Sequence, residues 1–261
     1  MTDATEFGTP PHYLMREGGI SIAYQRHEGK GDLPGVVFLC GFNSDMTGTK
    51  AESLHHFCVA RDQSFVRFDY QGHGQSSGRF VDGTVSQWLE DARSVLDQLT
   101  TGPQILVGSS MGGWISLLLA VAHPERVAGL VGIAPAADFV NELMWPQLPQ
   151  ALRDKIMSEG ATDVPSLYDT GSHTVTRALI EDGRKHRLLD KPIPVTCPVR
   201  ILQGTADPDV PWKHAVRIAE ALDSEDVTVT LVKNGDHRLS SPENLARLQG
   251  LVAELSDSDT D

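Results

Sequence analysis

Cysteine, basic residues and long apolar runs are all scarce in this sequence, and each shortage excludes a class of protein. The 261 residues include 3 cysteines, which are too few and too scattered for a disulfide framework or a zinc site. Cys40 and Cys197 lie in or beside predicted strands, where a buried thiol acts as a small hydrophobic side chain. No apolar run approaches the roughly 18–20 residues that a membrane-spanning helix needs, so none is expected.

The charge balance is strongly acidic. The chain has 22 lysines and arginines against 35 aspartates and glutamates, a formal net charge of −13 at pH 7. This balance argues against nucleic acid or an anionic membrane surface as a partner. The first residues, Met1–Glu6, lack the basic and apolar regions of a secretion signal and the arginines of a transit peptide. We therefore expect a cytoplasmic protein.

Apolar strands alternate with amphipathic helices over most of the chain. Residues 36–39 form a continuous apolar strand of the kind that is buried on both faces of a parallel sheet. Residues 85–99 place their apolar side chains at helical spacing. The other predicted elements are an opening hairpin at 13–24, strands at 65–68, 103–107, 127–133, 199–202 and 227–232, and helices at 49–59, 113–120, 212–222 and 242–255. The alternation predicts an α/β fold with a mostly parallel central sheet and helices on both faces.

The alternation stops after residue 136 and resumes near residue 199. No strand is predicted between them, but two helical stretches are, one around Leu148–Ile156 and one at 173–185. We therefore predict a core formed by residues 1–136 and 196–261, and a helical cap over the active site formed by residues 137–195.

A short glycine-flanked turn carries the first chemical signal. Gly108-Ser109-Ser110-Met111-Gly112 follows a predicted strand and opens a predicted helix. A strand, a G-x-S-x-G turn and a helix form the nucleophile elbow of an α/β-hydrolase. The five-residue pattern alone arises by chance in about one chain in ten of this length, but its context makes it specific. We expect Ser110 to be the nucleophile, and the two glycines to be needed because a Cβ there would collide with the neighbouring strand or helix.

A serine nucleophile needs a histidine base that is oriented by a carboxylate. In the hydrolase fold the acid and then the histidine follow the serine along the chain. Asp207 comes just after the strand at 199–202, and His237 just after the strand at 227–232. Both positions lie at carboxyl ends of strands, where open α/β sheets place their sites. We predict a Ser110-Asp207-His237 triad, with Asp209 as the alternative acid.

Three other histidines compete for the role of base. His186 and His214 do not end a strand, and we expect both to lie at the surface. His73 ends a strand but precedes the serine, which is the wrong order for this fold. His237 is therefore the favoured base.

The oxyanion of the tetrahedral intermediate needs two fixed N–H donors. Met111, the residue after the nucleophile, supplies one. Phe42, in the turn after the strand at 36–39, is expected to supply the other, and Gly41 lets that backbone approach the site. The ring of Phe42 either contacts substrate or packs in the core.

The predicted cap carries an apolar surface. Its members are Leu143, Met144, Trp145, Leu148 and Leu152. We expect Met144, Trp145 and Leu148 to bind an acyl chain; the alternative is that these side chains only pack the cap on the core.

Longer runs resemble one family. The chain is similar to the α/β-hydrolases of animal mitochondria that act as acyl-glucuronide esterases and protein S-depalmitoylases. The resemblance extends over residues 34–240 and rests on these runs: Gly48-Thr49-Lys50-Ala51, Arg67-Phe68-Asp69-Tyr70, Gly102 to Ser110, Gly112-Gly113-Trp114, Pro194-Val195-Thr196-Cys197-Pro198, Val210-Pro211-Trp212 and Asp236-His237-Arg238. It implies the same roles for Ser110, Asp207 and His237. The chain departs from the family in lacking its targeting segment, in residues 137–190, and at Cys40, where the family has proline; a bacterial relative is expected.

These observations predict a serine hydrolase of carboxylic esters or thioesters with an apolar acyl group. No cofactor or metal is expected. A serine peptidase is the alternative enzyme, and a ligand-binding receptor on a hydrolase scaffold is the alternative from another class.

Overall fold

The computed structural model describes residues 10–165 and 172–257. An eight-stranded sheet runs in the order β1-β2-β4-β3-β5-β6-β9-β10. Its strands are β1 (His12–Met15), β2 (Ser21–His27), β3 (Gly35–Leu39), β4 (Phe65–Phe68), β5 (Gln104–Ser109), β6 (Val127–Ile133), β9 (Val199–Gly204) and β10 (Val227–Val232). β2 pairs antiparallel with β1 and β4, and the pairs from β4 to β10 are parallel. The mostly parallel sheet predicted from the alternation is confirmed.

Helices pack against the sheet in groups. They are α1 (Thr49–Ala60), α2 (Val85–Leu99), α3 (Met111–Ala122), α4 (Gln150–Glu159), α5 (Arg177–Gly183), α6 (Trp212–Ala221) and α7 (Pro242–Asp257). α1 contacts α7, α2 contacts α3, and α6 contacts β9 and β10. Every residue of β3, β4 and β5 is buried, which requires cover on both faces of the sheet. None of the helices in the described ranges has the length and apolar character that a membrane crossing needs.

The segment between β6 and β9 differs from its prediction. It holds a two-stranded antiparallel sheet, β7 (Ala161–Pro165) and β8 (Ser172–Thr176), where no strand was expected. The helix predicted at 173–185 is wrong over its first four residues, since α5 begins at Arg177. The β-branched run Thr174-Val175-Thr176 favours a strand. Thr176 then caps the helix, because its hydroxyl accepts a hydrogen bond from the Leu179 N–H (3.1 Å).

The two ends of this segment meet at one buried carboxylate. Asp138, just after β6, accepts hydrogen bonds from the N–H groups of Leu188 (2.8 Å) and Leu189 (2.9 Å). The chain therefore leaves the sheet and returns toward it at nearly the same point.

Candidate active site

Ser110 stands on a strained bend between β5 and α3. Its backbone adopts φ 54° and ψ −116°, a conformation that costs a non-glycine residue of order 1–3 kcal/mol. A Cβ at Gly108 would overlap the carbonyl of Gly112, and a Cβ at Gly112 would overlap the carbonyl of Leu39. The steric reason predicted for both glycines is confirmed.

The neighbouring strand and loop fix the backbone of Ser110. Its N–H donates to the Ile133 carbonyl at the end of β6 (2.9 Å). Its carbonyl accepts from Gly113 (2.9 Å) and from Ala136 (3.0 Å). These hydrogen bonds to the N–H and to the carbonyl of Ser110 keep its backbone in the strained conformation.

The turn after β3 lies directly against this serine. A Cβ added at Gly41 would come 3.4 Å from the Cβ of Ser110, and the turn closes with a hydrogen bond from the Ser44 N–H to the Gly41 carbonyl (3.2 Å). The close approach expected at Gly41 is therefore present. Phe42 N–H and Met111 N–H, the expected oxyanion donors, belong to residues that line the same cavity as Ser110.

The ring of Phe42 both packs and faces the cavity. It lies 4.9–5.9 Å, centroid to centroid, from the rings of Phe80, Trp88, Phe139 and His173. It also lines the cavity beside Ser110. The packing expected as one alternative is present, and contact of this ring with substrate stays a prediction.

The structure brings the predicted acid and base together. His237 Nδ1 lies 2.7 Å from Asp207 Oδ2. The other carboxylate oxygen accepts the N–H groups of Asp209 and Val210, both at 2.9 Å. Burial raises the pKa of Asp207, but the hydrogen bond and charge of His237 and these two N–H donors outweigh it, so the pKa lies below its ordinary value. Asp207 is thereby held as an anion that orients the imidazole.

Contacts between loops support this pair. The Ala206 N–H donates to the Gly235 carbonyl (3.0 Å). The side chain of Asp236, beside the histidine, accepts a hydrogen bond from the Leu239 N–H (2.9 Å). The Lys50 ammonium donates to the Arg238 carbonyl (2.8 Å), and burial lowers the pKa of Lys50 to about 8. The histidine loop is therefore tied to β9 and to α1.

The rival histidines lie elsewhere. The expectation that His214 lies at the surface is wrong: it is buried, and its Nε2 lies 2.9 Å from the Ala137 carbonyl. The reason is that the face of α6 that carries His214 packs against the loop after β6, a contact that sequence periodicity does not show. His186 is partly buried and contacts the Ser86 hydroxyl (2.7 Å). His73 is buried in the loop after β4.

Asp209, the alternative acid, lies beside the pair. Its side chain lines the cavity and is 9% exposed, and its Oδ1 has no hydrogen-bond partner within residues 10–165 and 172–257. Burial raises the pKa of Asp209, and the negative charge of Asp207 adds to the shift. Asp207, Asp209 and His237 form the group of possible cation ligands in the described chain, with ligand atoms within 4.8 Å of one another. Since the group includes the predicted acid and base, we assign no metal to it.

An apolar cavity of about 310 Å³ opens at Ser110. The segment between β6 and β9 supplies most of its wall. The predicted residues Met144 and Leu148 line it, as do Leu143 and Leu152, and so do Phe139, Val164 and His173, which sequence reasoning missed. The alternating β-branched residues of β7 and β8 were the signal for Val164 and His173.

The predicted substrate contact of Trp145 has less support than those of Met144 and Leu148 and stays a prediction. Among the described residues that line the cavity, Trp145 does not appear. Its ring lies 5.7 Å from the Arg184 guanidinium instead. Residues 140–144 and 145–147 form a π turn followed by a 3₁₀ turn.

Known proteins resemble this chain over most of its length. The family model described as "Serine aminopeptidase, S33" matches residues 34–178. The mitochondrial palmitoyl-protein thioesterase ABHD10 of mouse is 41% identical over 246 residues, which cover 94% of this chain and 82% of that protein. The human protein of the same name is 39% identical over 94% of this chain and 79% of its own length. Both names describe mitochondrial proteins, so the cytoplasmic location expected from the sequence stays a prediction.

Solved structures match equally well. A putative hydrolase from Agrobacterium vitis S4 superposes with a TM-score of 0.90 at 42% identity, covering 95% of this chain and 98% of that one. Mouse ABHD10 superposes with a TM-score of 0.87 at 40% identity, covering 95% and 99%. These matches confirm the fold and the family predicted from the sequence. The chain is a hydrolase and belongs to the α/β-hydrolase family that includes the ABHD10 palmitoyl-protein thioesterases.

Proposed function

We propose that this protein cleaves carboxylic esters and thioesters of apolar acyl groups through an acyl-enzyme on Ser110. The observation that carries the proposal is the apolar cavity that begins at the strained serine. A hydrogen-bonded His237–Asp207 pair on the neighbouring strand ends supports it. The relatives named palmitoyl-protein thioesterases support the acyl chemistry.

The reaction follows from these roles. The Ser110 hydroxyl oxygen attacks the acyl carbonyl carbon while Nε2 of His237 takes its proton, and Asp207 stabilises the imidazolium. The N–H groups of Phe42 and Met111 stabilise the oxyanion. Collapse breaks the C–O or C–S bond, and the leaving alkoxide or thiolate takes the proton from His237. Water then attacks the acyl-enzyme with the same base and releases the carboxylic acid.

The cap formed by residues 137–195 selects the acyl group in this proposal. Leu143, Met144, Leu148 and Leu152 offer apolar contact along the cavity. Each buried methylene contributes about 0.8 kcal/mol. The cavity, about 310 Å³, lies at the lower end of the 300–1,000 Å³ typical of small-molecule sites, so medium-length acyl groups should fill it.

Active-site labelling tests the nucleophile. A fluorophosphonate should label Ser110, and Ser110→Ala should abolish both labelling and turnover of p-nitrophenyl hexanoate and hexanoyl-coenzyme A. Ser109→Ala is the matched control, because this neighbour lies at the end of the buried strand β5, and it should keep both. Peptide mapping by mass spectrometry identifies the labelled residue; a label on Ser109 would contradict the assignment.

A peptidase is the second candidate, and the cavity-lining carboxylate of Asp209 favours it. Its Oδ1, which has no hydrogen-bond partner in the described residues, is placed to accept from the ammonium group of a peptide substrate. Leucine p-nitroanilide and p-nitrophenyl hexanoate, which are similar in size, should separate the two activities. A larger kcat/KM on the anilide, lost in Asp209→Asn, would favour the peptidase over the esterase.

A receptor with little turnover is the remaining alternative. Single-turnover mass spectrometry with an activated ester separates it from an enzyme. We expect a transient acyl mass on Ser110 that decays as product appears, whereas a receptor leaves the protein unmodified or permanently acylated.

A further inference from the structure

One buried histidine takes no part in the proposed triad but contacts the turn beside it. His73 lies in the loop after β4 and is 3% exposed. Its Nε2 accepts a hydrogen bond from the Asn43 N–H at 3.3 Å, and its Nδ1 lies 3.4 Å from the Gln71 carbonyl. The loop itself is fixed by a hydrogen bond from the His73 N–H to the Tyr70 carbonyl (2.8 Å).

These two contacts define one state of the ring. Since Asn43 N–H is a donor, Nε2 must carry a lone pair, and the proton must sit on Nδ1, facing the Gln71 carbonyl. Burial lowers the pKa of His73 to about 4, against the smaller raising effects of the Gln71 carbonyl and Asp45. The rings of Phe80 and Trp88 pack against it at 5.1 and 5.3 Å. At neutral pH the ring is an uncharged acceptor in a fixed place.

Asn43 is the residue that follows the expected oxyanion donor. Its φ of 54° lies in the left-handed region, which asparagine adopts more readily than most other non-glycine residues. The hydrogen bond to His73 fixes the peptide on the carboxyl side of Phe42. On the amino side Gly41 rests against Ser110. Contacts with His73 on one side and with Ser110 on the other therefore restrict the orientation of the Phe42 N–H.

A second side chain of the same loop fastens the rest of the turn. Asp69 is buried, and its Oδ1 accepts the Met46 N–H (2.7 Å) while its Oδ2 accepts the Gln75 N–H (2.8 Å). The loop after β4 thus holds the turn after β3 at two places, Asn43 and Met46. Of the two contacts, the one made by His73 lies nearer in the chain to Phe42, the expected oxyanion donor.

We propose that His73 is a positioning residue for the oxyanion hole, whose neutral Nε2 holds the Asn43 N–H and so aims the Phe42 N–H at the developing oxyanion. The inference rests on the proposed function. An oxyanion donor acts on the transition state and little on bound substrate, and a displacement of about 1 Å costs on the order of 10²-fold in rate. Loss of the acceptor should therefore lower kcat and leave KM nearly unchanged.

Three variants test this with p-nitrophenyl butyrate. His73→Phe keeps an aromatic ring but removes the acceptor, and kcat should fall about 10- to 100-fold with KM within twofold. His73→Gln restores an acceptor, and kcat should return to within about fivefold of the parent. Tyr70→Phe, which changes a hydroxyl of the same loop without a hydrogen-bond partner in the described chain, is the matched control and should leave kcat unchanged.

A transition-state analogue separates positioning from general damage. Affinity for a trifluoromethyl ketone, which forms a tetrahedral adduct with the serine, should fall in His73→Phe by the same factor as kcat. Affinity for the butyrate product should not change. If His73→Phe does not fold, His73→Met replaces it; if neither folds, a hundredfold loss in His73→Gln overturns the inference and activity near that of the parent supports it.

The outcomes distinguish this inference from the proposed function. Turnover that survives Ser110→Ala contradicts the function itself. If Ser110→Ala is inactive but His73→Phe keeps the parental kcat, only the role of His73 is overturned. The same holds if His73→Phe and His73→Gln lose equal activity.

Discussion

The two halves of the cavity are built in different ways. On the sheet side, Ser110, Asp207 and His237 follow the ends of parallel strands, and hydrogen bonds fix the backbone around each. On the cap side, the wall consists of apolar side chains on a π turn, a short helix and a hairpin. In the proposed function, main-chain geometry positions the reacting groups, whereas the size of the cap side chains selects the substrate. Changes on the sheet side should therefore lower kcat for all substrates, and changes on the cap side should reorder substrates.

The largest effect should come from the base. His237→Ala should lower kcat by roughly 10⁶-fold, about as far as Ser110→Ala, because members of a triad act as a unit. The double variant should be no slower than either single one. Stopped assays with p-nitrophenyl hexanoate over several hours measure such rates, and an additive loss would contradict the shared mechanism.

The acid comes next, and the chain supplies its own control two residues away. Asp207→Asn should lower kcat by roughly 10⁴-fold, because the amide favours the wrong histidine tautomer. Asp209→Asn should change it by less than tenfold, since Nδ1 of His237 is hydrogen-bonded to Asp207. A small loss of kcat in Asp207→Asn together with a large loss in Asp209→Asn would show that Asp209, rather than Asp207, is the acid.

The cap side should show a smaller and substrate-dependent effect. Leu148→Ala should lower kcat/KM for p-nitrophenyl octanoate about tenfold and leave the acetate within twofold, because it removes apolar contact with the longer chain alone. Trp145→Ala, beside Arg184 rather than the cavity, should preserve the dependence on chain length. Thermal melting checks the fold of Leu148→Ala, since the side chain is buried. Equal losses on both esters would place Leu148 in packing alone.

The smallest effect concerns acid stability on the sheet side. Burial lowers the pKa of His73 to about 4 in the folded protein, from the ordinary histidine value of 6.5. A depressed pKa gives stability that is present above the unfolded value and is lost as pH falls toward the folded one. Between pH 7.5 and 5.5 the parent should lose about 1 kcal/mol more than His73→Gln. Urea unfolding of both proteins at the two pH values measures this difference; equal losses would show that the ring is not held neutral.

Sequence reasoning succeeded where local sterics decide and failed where distant packing decides. Gly108 and Gly112 follow from the bend itself, so the elbow was predictable. His214 is buried against the Ala137 carbonyl, a partner that no periodicity reveals. β8 was missed because a five-residue strand is stabilised by its pairing with β7. Most of the fold could thus be predicted, but only part of the substrate wall.

The carboxylate of Asp138 makes the segment between β6 and β9 a closed insertion. Asp138 at the start of the segment is hydrogen-bonded to Leu188 and Leu189 near its end. The attachment of the segment to the sheet therefore does not depend on how many residues lie between these points. Loop closure adds only about 0.6 kcal/mol for each doubling of length. With this attachment, a longer, shorter or differently folded insertion can replace the present one without moving the reacting groups on the sheet. Substrate range and reaction chemistry are then free to change independently during evolution.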